Sequence, residues 1–158
     1  MVVFRLFCLL LLLSPLFPLW SGEPEVSVES AVLSPADSDA AFLIGFTLEN
    51  LIGRFGPPKS VYAVRGSAEW QDDVVFVYDA MDCYIFKDRV WQVGLRSYRN
   101  IKIGDAKPAA ALELGEDARD EGNLIRLSLP GRGWPMELQV NLDAGGLVAA
   151  IFVSRPDF

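Results

Sequence analysis

The apolar positions divide the chain into a continuous hydrophobic start, a polar stretch and two successions of periodic segments. Leu6 to Leu13 is an unbroken apolar run in which only Cys8 is neither Leu nor Phe. Glu23 to Asp39 is rich in Ser, Pro and acids; it reads as a flexible tether, or as a short edge strand where Val26 and Val28 alternate with polar residues. Ala40 to Phe46 is apolar but too short to assign. Leu48, Leu51, Ile52 and Phe55 then fall at i, i+3, i+4 and i+7, the stripe of an amphipathic helix. Thr47 and Asn50 occupy its N-cap and N3 places, Gly56 suits a left-handed C′ residue, and Pro57 and Pro58 prevent continuation.

Strands follow. Val61 to Arg65 and Val74 to Tyr78 are rich in β-branched and aromatic residues, with turn-forming Gly66 and Ser67 between them. Asp82 to Lys87 and Val90 to Arg96 flank Asp88 and Arg89 as a tight hairpin. That register pairs Phe86 with Trp91 and Tyr84 with Val93. It collects Tyr84, Phe86, Trp91, Val93 and Leu95 on the core face, and Cys83, Ile85, Lys87, Val90, Gln92 and Arg96 on the other.

The second half repeats the succession. Asp105 is expected to cap a helix through Leu114, with Pro108 in the first turn and Gly115 at C′. Asn123 to Leu129 reads as a strand, and Trp134 to Leu142 with Leu147 to Ser154 as a hairpin around Asp143 to Gly146. A four-residue loop places Met136, Leu138, Val140, Leu142, Leu147, Ala149, Ile151 and Val153 on the core face. Glu137, Gln139, Asn141, Val148, Ala150, Phe152 and Ser154 fall opposite. From the helix-ending glycine to the last strand is 34 positions in one half (Gly56 to Val90) and 32 in the other (Gly115 to Leu147). The spacing suggests a degenerate duplication with a period of about 58 residues.

The hydrophobic start has the form of a secretion signal: one charge at Arg5, a short apolar run, disruption at Ser14, Pro15 and Pro18, and a small pair at Ser21 and Gly22. The apolar stretch to Trp20 is about 15 residues, short of the roughly 20 that span a bilayer. We expect cleavage near residue 22 rather than retention as an anchor, and a periplasmic or secreted product. Cys8 lies inside the run rather than after it, so it does not read as a lipidation site.

Loss of residues 1–22 would leave 13 basic against 21 acidic residues, a net charge of −8. That argues against nucleic acid and anionic lipid surfaces as partners, because both select a basic footprint. Cys83 would be the one remaining cysteine, so stability is expected to come from the core rather than from a disulfide. At about 136 residues, one domain buries around two-thirds of its unfolded surface.

The sequence offers little catalytic chemistry. With no His anywhere, Ser-His-Asp and Cys-His arrangements and histidine zinc sites are absent. Cys83 has no identifiable base and reads as a buried structural thiol. Asp72, Asp73, Asp79 and Asp82 crowd two strand ends, where they either sit in solvent or take up a cation. Asp117, Asp120, Glu121 and Asn123 around Gly122 lack the spacing of a calcium loop and read as a turn. Gly145 and Gly146 read as hairpin residues, and Arg65, Arg132 and Arg155 as strand-end cations. Trp70 and Trp134, at element boundaries, are candidate interface anchors.

The Leu48 to Pro57 string, a helix ending in Phe-Gly-Pro, followed by strands and an aromatic hairpin leading into Val90, resembles the repeat unit of the β-lactamase-inhibitor-protein-like fold. The same unit is found singly in small outer-membrane assembly lipoproteins. The resemblance spans roughly Phe46 to Arg155 and implies helices leading into an antiparallel sheet whose tandem copies grip a partner protein. The disulfides of the inhibitor and the lipobox of the lipoproteins are missing here, so no contact residue carries over.

The expectation is therefore an exported α+β protein. It has a signal peptide (1–22), a tether or edge strand (23–39) and one domain (40–158) of two helix-plus-antiparallel-sheet repeats, about 46–98 and 104–155, with one helix-covered and one open face. Its expected role is non-enzymatic: binding another envelope or extracellular protein through Lys87, Gln92, Arg96, Glu137, Gln139, Asn141 and Phe152, without cofactor or metal. The alternatives are a small-molecule or cation-binding protein using the aspartates, and a structural protein without a fixed partner.

Overall fold

A computed structural model describes residues 37–65, 73–131 and 133–157. The expected signal peptide, most of the 23–39 stretch, Trp70, Asp72 and Arg132 lie outside the described residues. Helix α1 (Asp37–Leu43) begins within the segment expected as a tether or edge strand. Its apolar residues Ala40 and Leu43, followed by Ile44, have a core to enter and are buried in it. Helix α2 (Leu48–Phe55) forms where its stripe and caps require. Thr47 is extended and its hydroxyl accepts from the Asn50 amide at 3.2 Å, while Gly56, at φ 73°, donates to the Ile52 carbonyl. Leu51 is fully buried but Ile52 is 42% exposed, so the buried stripe is narrower than its periodicity.

Among the described residues, ten strands follow in chain order with the third helix between them. They are β1 (Ser60–Val64), β2 (Asp73–Val77), β3 (Met81–Phe86), β4 (Arg89–Leu95), β5 (Ser97–Tyr98), β6 (Ile101–Lys102), α3 (Lys107–Leu114), β7 (Arg119–Asp120), β8 (Leu124–Leu129), β9 (Met136–Leu142) and β10 (Val148–Ser154). Eight strands form one antiparallel sheet in the order β1-β2-β3-β4-β10-β9-β8-β7, and β5 with β6 forms a small separate hairpin. The fold is α+β. The expected Asp105 cap is corrected: α3 starts from Ala106 without a side-chain cap, and Asp105 instead accepts from the Lys102 amide at 2.7 Å.

Both halves make the same local connections. Before α2, the Gly45 amide donates to the Val90 carbonyl at 2.7 Å and the Val90 amide to the Phe46 carbonyl at 2.9 Å. Before α3, Gly104 donates to Val148 and Val148 to Asp105, each at 2.8 Å. Gly45 and Gly104 share φ 92°. Each pre-helix segment thus holds the start of the strand that closes its half. In both hairpins that strand carries a bulge immediately afterwards, at Trp91 and at Ala149.

These bulges and one turn correct the expected faces. The first hairpin turns at Lys87 and Asp88, both at positive φ (46° and 63°), and not at Asp88 and Arg89. This is the backbone of a type I′ turn, whose twist suits a two-residue hairpin. Phe86 consequently pairs with Arg89 and Ile85 with Val90, and past the bulge Tyr84 pairs with Gln92. Cys83, Ile85 and Val90 are therefore core residues, whereas Tyr84, Phe86 and Trp91 are only partly buried and leave the helix-facing side. In the second hairpin Leu142 pairs with Val148, which is buried, while Leu147 and Ala149 are exposed against expectation. The core joins Ala40, Leu43, Leu51, Ala110 and Leu114 from the helices, and Ile44 just after α1, to the alternate residues of β3, β4, β8, β9 and β10. Tyr98 and Ile101, on the unpredicted β5–β6 hairpin, complete it.

Candidate functional site: the sheet face opposite the helices

Alternation along each strand sends every second side chain away from the helices. Pairing aligns Tyr62, Val75, Tyr84, Gln92, Ser154, Glu137 and Ser128 in one row across the sheet. A neighbouring row carries Val77, Asp82, Gly94, Phe152, Gln139 and Arg126. The β1–β4 half of this face is thus largely aromatic and aliphatic. The β8–β9 half is polar.

Gly94 lies where the two halves meet, on the β4–β10 seam. A Cβ there would stand 3.2 Å from the Phe152 ring, so the absence of a side chain lets that ring lie across the strand. Tyr84 meets Phe152 edge-on, with centroids 5.9 Å apart and planes at 78°, a favourable quadrupole arrangement. Burial pushes the Tyr84 phenol up to about 12, with Tyr62 and Asp82 adding to the shift. Beside these rings is a groove of about 650 Å³ lined by Tyr84, Gly94, Phe152, Arg96, Lys102 and Ile103. Arg96 Nη2 donates to Asp82 Oδ1 at 2.8 Å on its wall.

On the polar half, Arg126 bridges two carboxylates, donating to Glu121 at 2.9 Å and to Glu137 at 2.7 Å, and Gln139 donates to Glu137 at 3.1 Å. Five of the seven expected contacts, Gln92, Glu137, Gln139, Asn141 and Phe152, therefore share this face, and Arg96 borders it in the groove. The shifted turn moves the pairing by two residues and the bulge restores one, which places Gln92 on this face opposite Tyr84 rather than opposite Ile85. Lys87 does not join them. It sits in the hairpin turn with its ammonium 5.0 Å from the Phe86 ring centre. The sequence reading missed Tyr84 and Gly94 at the centre of the face, Tyr84 because it was assigned to the core.

Asp72 lies outside the described residues, and Asp73, Asp79 and Asp82 do not assemble. Asp73 accepts from Trp91 Nε1 at 3.0 Å, Asp79 pairs with Lys59, and Asp82 pairs with Arg96. Among the described residues, no group of three or more Cys, Asp or Glu is placed to hold a metal. Asp120 accepts from Lys107 at 2.7 Å and from the Gly122 amide at 2.9 Å, and the Lys107 bond holds its carboxyl below the usual range. Asp143 caps its own turn by accepting from Gly145 and Leu147 at 2.8 and 2.9 Å. The Cys83 thiol is buried and pushed up to about 12 by burial first and Asp82 second, which leaves almost no thiolate at neutral pH. Trp134 is half-buried against the core with the Arg155 guanidinium 4.8 Å from its ring, so it packs inward rather than standing free.

No family model matches the chain, and no curated protein matches it. Among solved structures, an extracellular protein containing an SCP domain from Bacillus anthracis str. Ames aligns with a TM-score of 0.48 at 13% identity. The alignment covers 73% of this chain and 45% of that one, so this chain spans less than half of that protein's length.

Proposed function

We propose that this is an exported, non-enzymatic protein-binding or envelope-assembly module that docks another protein on an open sheet face. The observation that carries the reading is the Gly94 seam. A ring shelf of Phe152 and Tyr84 lies beside a groove and is flanked by hydrogen-bonded charges. Aromatic surface next to polar groups already oriented by neighbours is the composition of a protein interface, with an apolar anchor and a polar rim. The binding set becomes Gln92, Arg96, Glu137, Gln139, Asn141 and Phe152, with Tyr84 and Gly94 added. Export rests on the sequence of residues 1–22.

The recurrence of the pre-helix hydrogen bonds and of the bulge supports a tandem duplication, and with it the likeness to the β-lactamase-inhibitor-protein-like repeat. A photo-crosslinking residue at Gln92 and another at exposed Leu112 on α3 test the binding reading in cells. A discrete adduct is expected from Gln92 and none from Leu112. It should disappear when Arg96→Glu is combined with Gln139→Arg. Equal adducts from both positions, or an adduct unchanged by the double variant, would show that the face is not the docking site.

A further inference from the structure

The two edges of the sheet are unlike. At one end β7 is two residues long, Arg119 and Asp120, and Asp120 is paired with Lys107. Short, charged edges resist further pairing. At the other end β1 is five residues of uncharged sequence, Ser-Val-Tyr-Ala-Val, exposed throughout and, among the described residues, bonded on one side only, to β2. Val61, Tyr62 and Val64 are 52%, 46% and 39% exposed. An apolar edge of this kind is a template for one more strand.

We propose that the β1 edge is the docking site of residues 25–29 of the same chain, Glu-Val-Ser-Val-Glu, added as a further strand. Three observations select this occupant. The segment alternates Val26 and Val28 with polar residues, the pattern of a half-buried strand. Its ends are acidic, Glu25 and Glu29, whereas β1 is bounded by the cations Lys59 and Arg65. With Ser27 opposite Ala63, Glu25 stands directly opposite Arg65 and Glu29 diagonal to Lys59, so each acid shares a face with a cation within the range of cross-strand pairs.

The third observation is reach. Helix α1 starts at Asp37 and packs over β4 and β10. A strand beyond β1 lies four strand spacings to the side and one layer away, about 21 Å in all. The seven residues 30–36 extend to about 23 Å. A second copy pairing through β1 is disfavoured, because five residues a side fall far below the roughly 1,200 Å² that a stable interface buries, and because Lys59 would face Arg65 of the other copy. A tethered segment avoids that requirement, since its effective concentration is in the millimolar range.

Amide hydrogen exchange on the full chain tests the proposal. The amides of residues 60–64 and 25–29 are expected to exchange at least tenfold more slowly than unstructured peptides. The double variant Val26→Asp with Val28→Asp should abolish that protection in both segments while β3 and β4 keep theirs. Val26→Ile with Val28→Ile should retain it. The protection should also be unchanged over a tenfold dilution. Free exchange of residues 25–29 in the unsubstituted chain, indifference of β1 to the Asp pair, or loss of protection on dilution, which would point to a second copy, would each overturn the proposal. None of these readouts involves the Gly94 face, so the two proposals fail separately.

Discussion

Cys83 illustrates how a single buried group ties burial to a measurable pH response. Its side chain is fully buried in β3, and burial raises the thiol from 9.0 to about 12. The unfolded chain ionises this thiol above pH 9, whereas the folded chain holds it neutral until about 12. Below pH 9 both states carry the proton and the group contributes no slope. Between pH 9 and 12 the unfolded state binds fewer protons, so folding stability falls as pH rises, by about 1.4 kcal/mol per unit from this group. Urea unfolding at pH 8 and pH 10 should therefore show a steeper loss in the native sequence than in Cys83→Ala. Alkylation followed by peptide mass spectrometry should likewise leave Cys83 unmodified at pH 8 until denaturant is added. The same burial makes Cys83 a poor nucleophile.

The two capped helices differ in one element-scale respect. Thr47 gives α2 a side-chain cap, and the residue in the corresponding place before α3, Ala106, is extended at φ −74° and ψ 142° but has no such bond. Thr47→Ala should cost about 1 kcal/mol, and Ala106→Thr should gain about 0.5–1 kcal/mol, both read from thermal or urea unfolding. Helices α2 and α3 and the longer strands were legible in the sequence because each has a local cause: the stripe of Leu48 to Phe55, the glycines at 56 and 115, and the alternation of β9. What was illegible depended on partners distant in sequence. The bulges at Trp91 and Ala149 follow from the hydrogen bonds that Phe46 and Asp105 make with Val90 and Val148, more than 40 residues away. No local pattern announces them, and a bulge inverts the face of every later residue in its strand. That is why the sequence pattern places Tyr84, Phe86 and Trp91 in the core and leaves the candidate face half described. Helix α1 was missed for the same reason, since seven residues hold helical form only against a core.

At the scale of the molecule, the first half supplies β1 to β4 and the second β7 to β10, and they join along one seam. There β4 pairs with β10 through Leu95–Ile151, Gly94–Phe152, Val93–Val153 and Gln92–Ser154. On the helix side the seam presents Val93, Leu95, Ile151 and Val153, all buried, with α1 packed across both strands. On the other side the same pairs place Gly94 under Phe152. The seam therefore supports the core and the candidate docking surface together, and neither half can bury its central strand without the other. Unfolding should be a single transition rather than two. Ile151→Ala removes a fully buried side chain at the seam and should cost about 2–5 kcal/mol. The test is whether Trp91, in the first half, and Trp134, in the second, still lose their native fluorescence together in that variant, read through single-tryptophan versions of the chain. Coincident midpoints, both shifted by the same amount, are the outcome expected of one cooperative sheet. Separated midpoints would mean that each helix-plus-strands half stands alone and that the face spanning them is assembled only when both are folded.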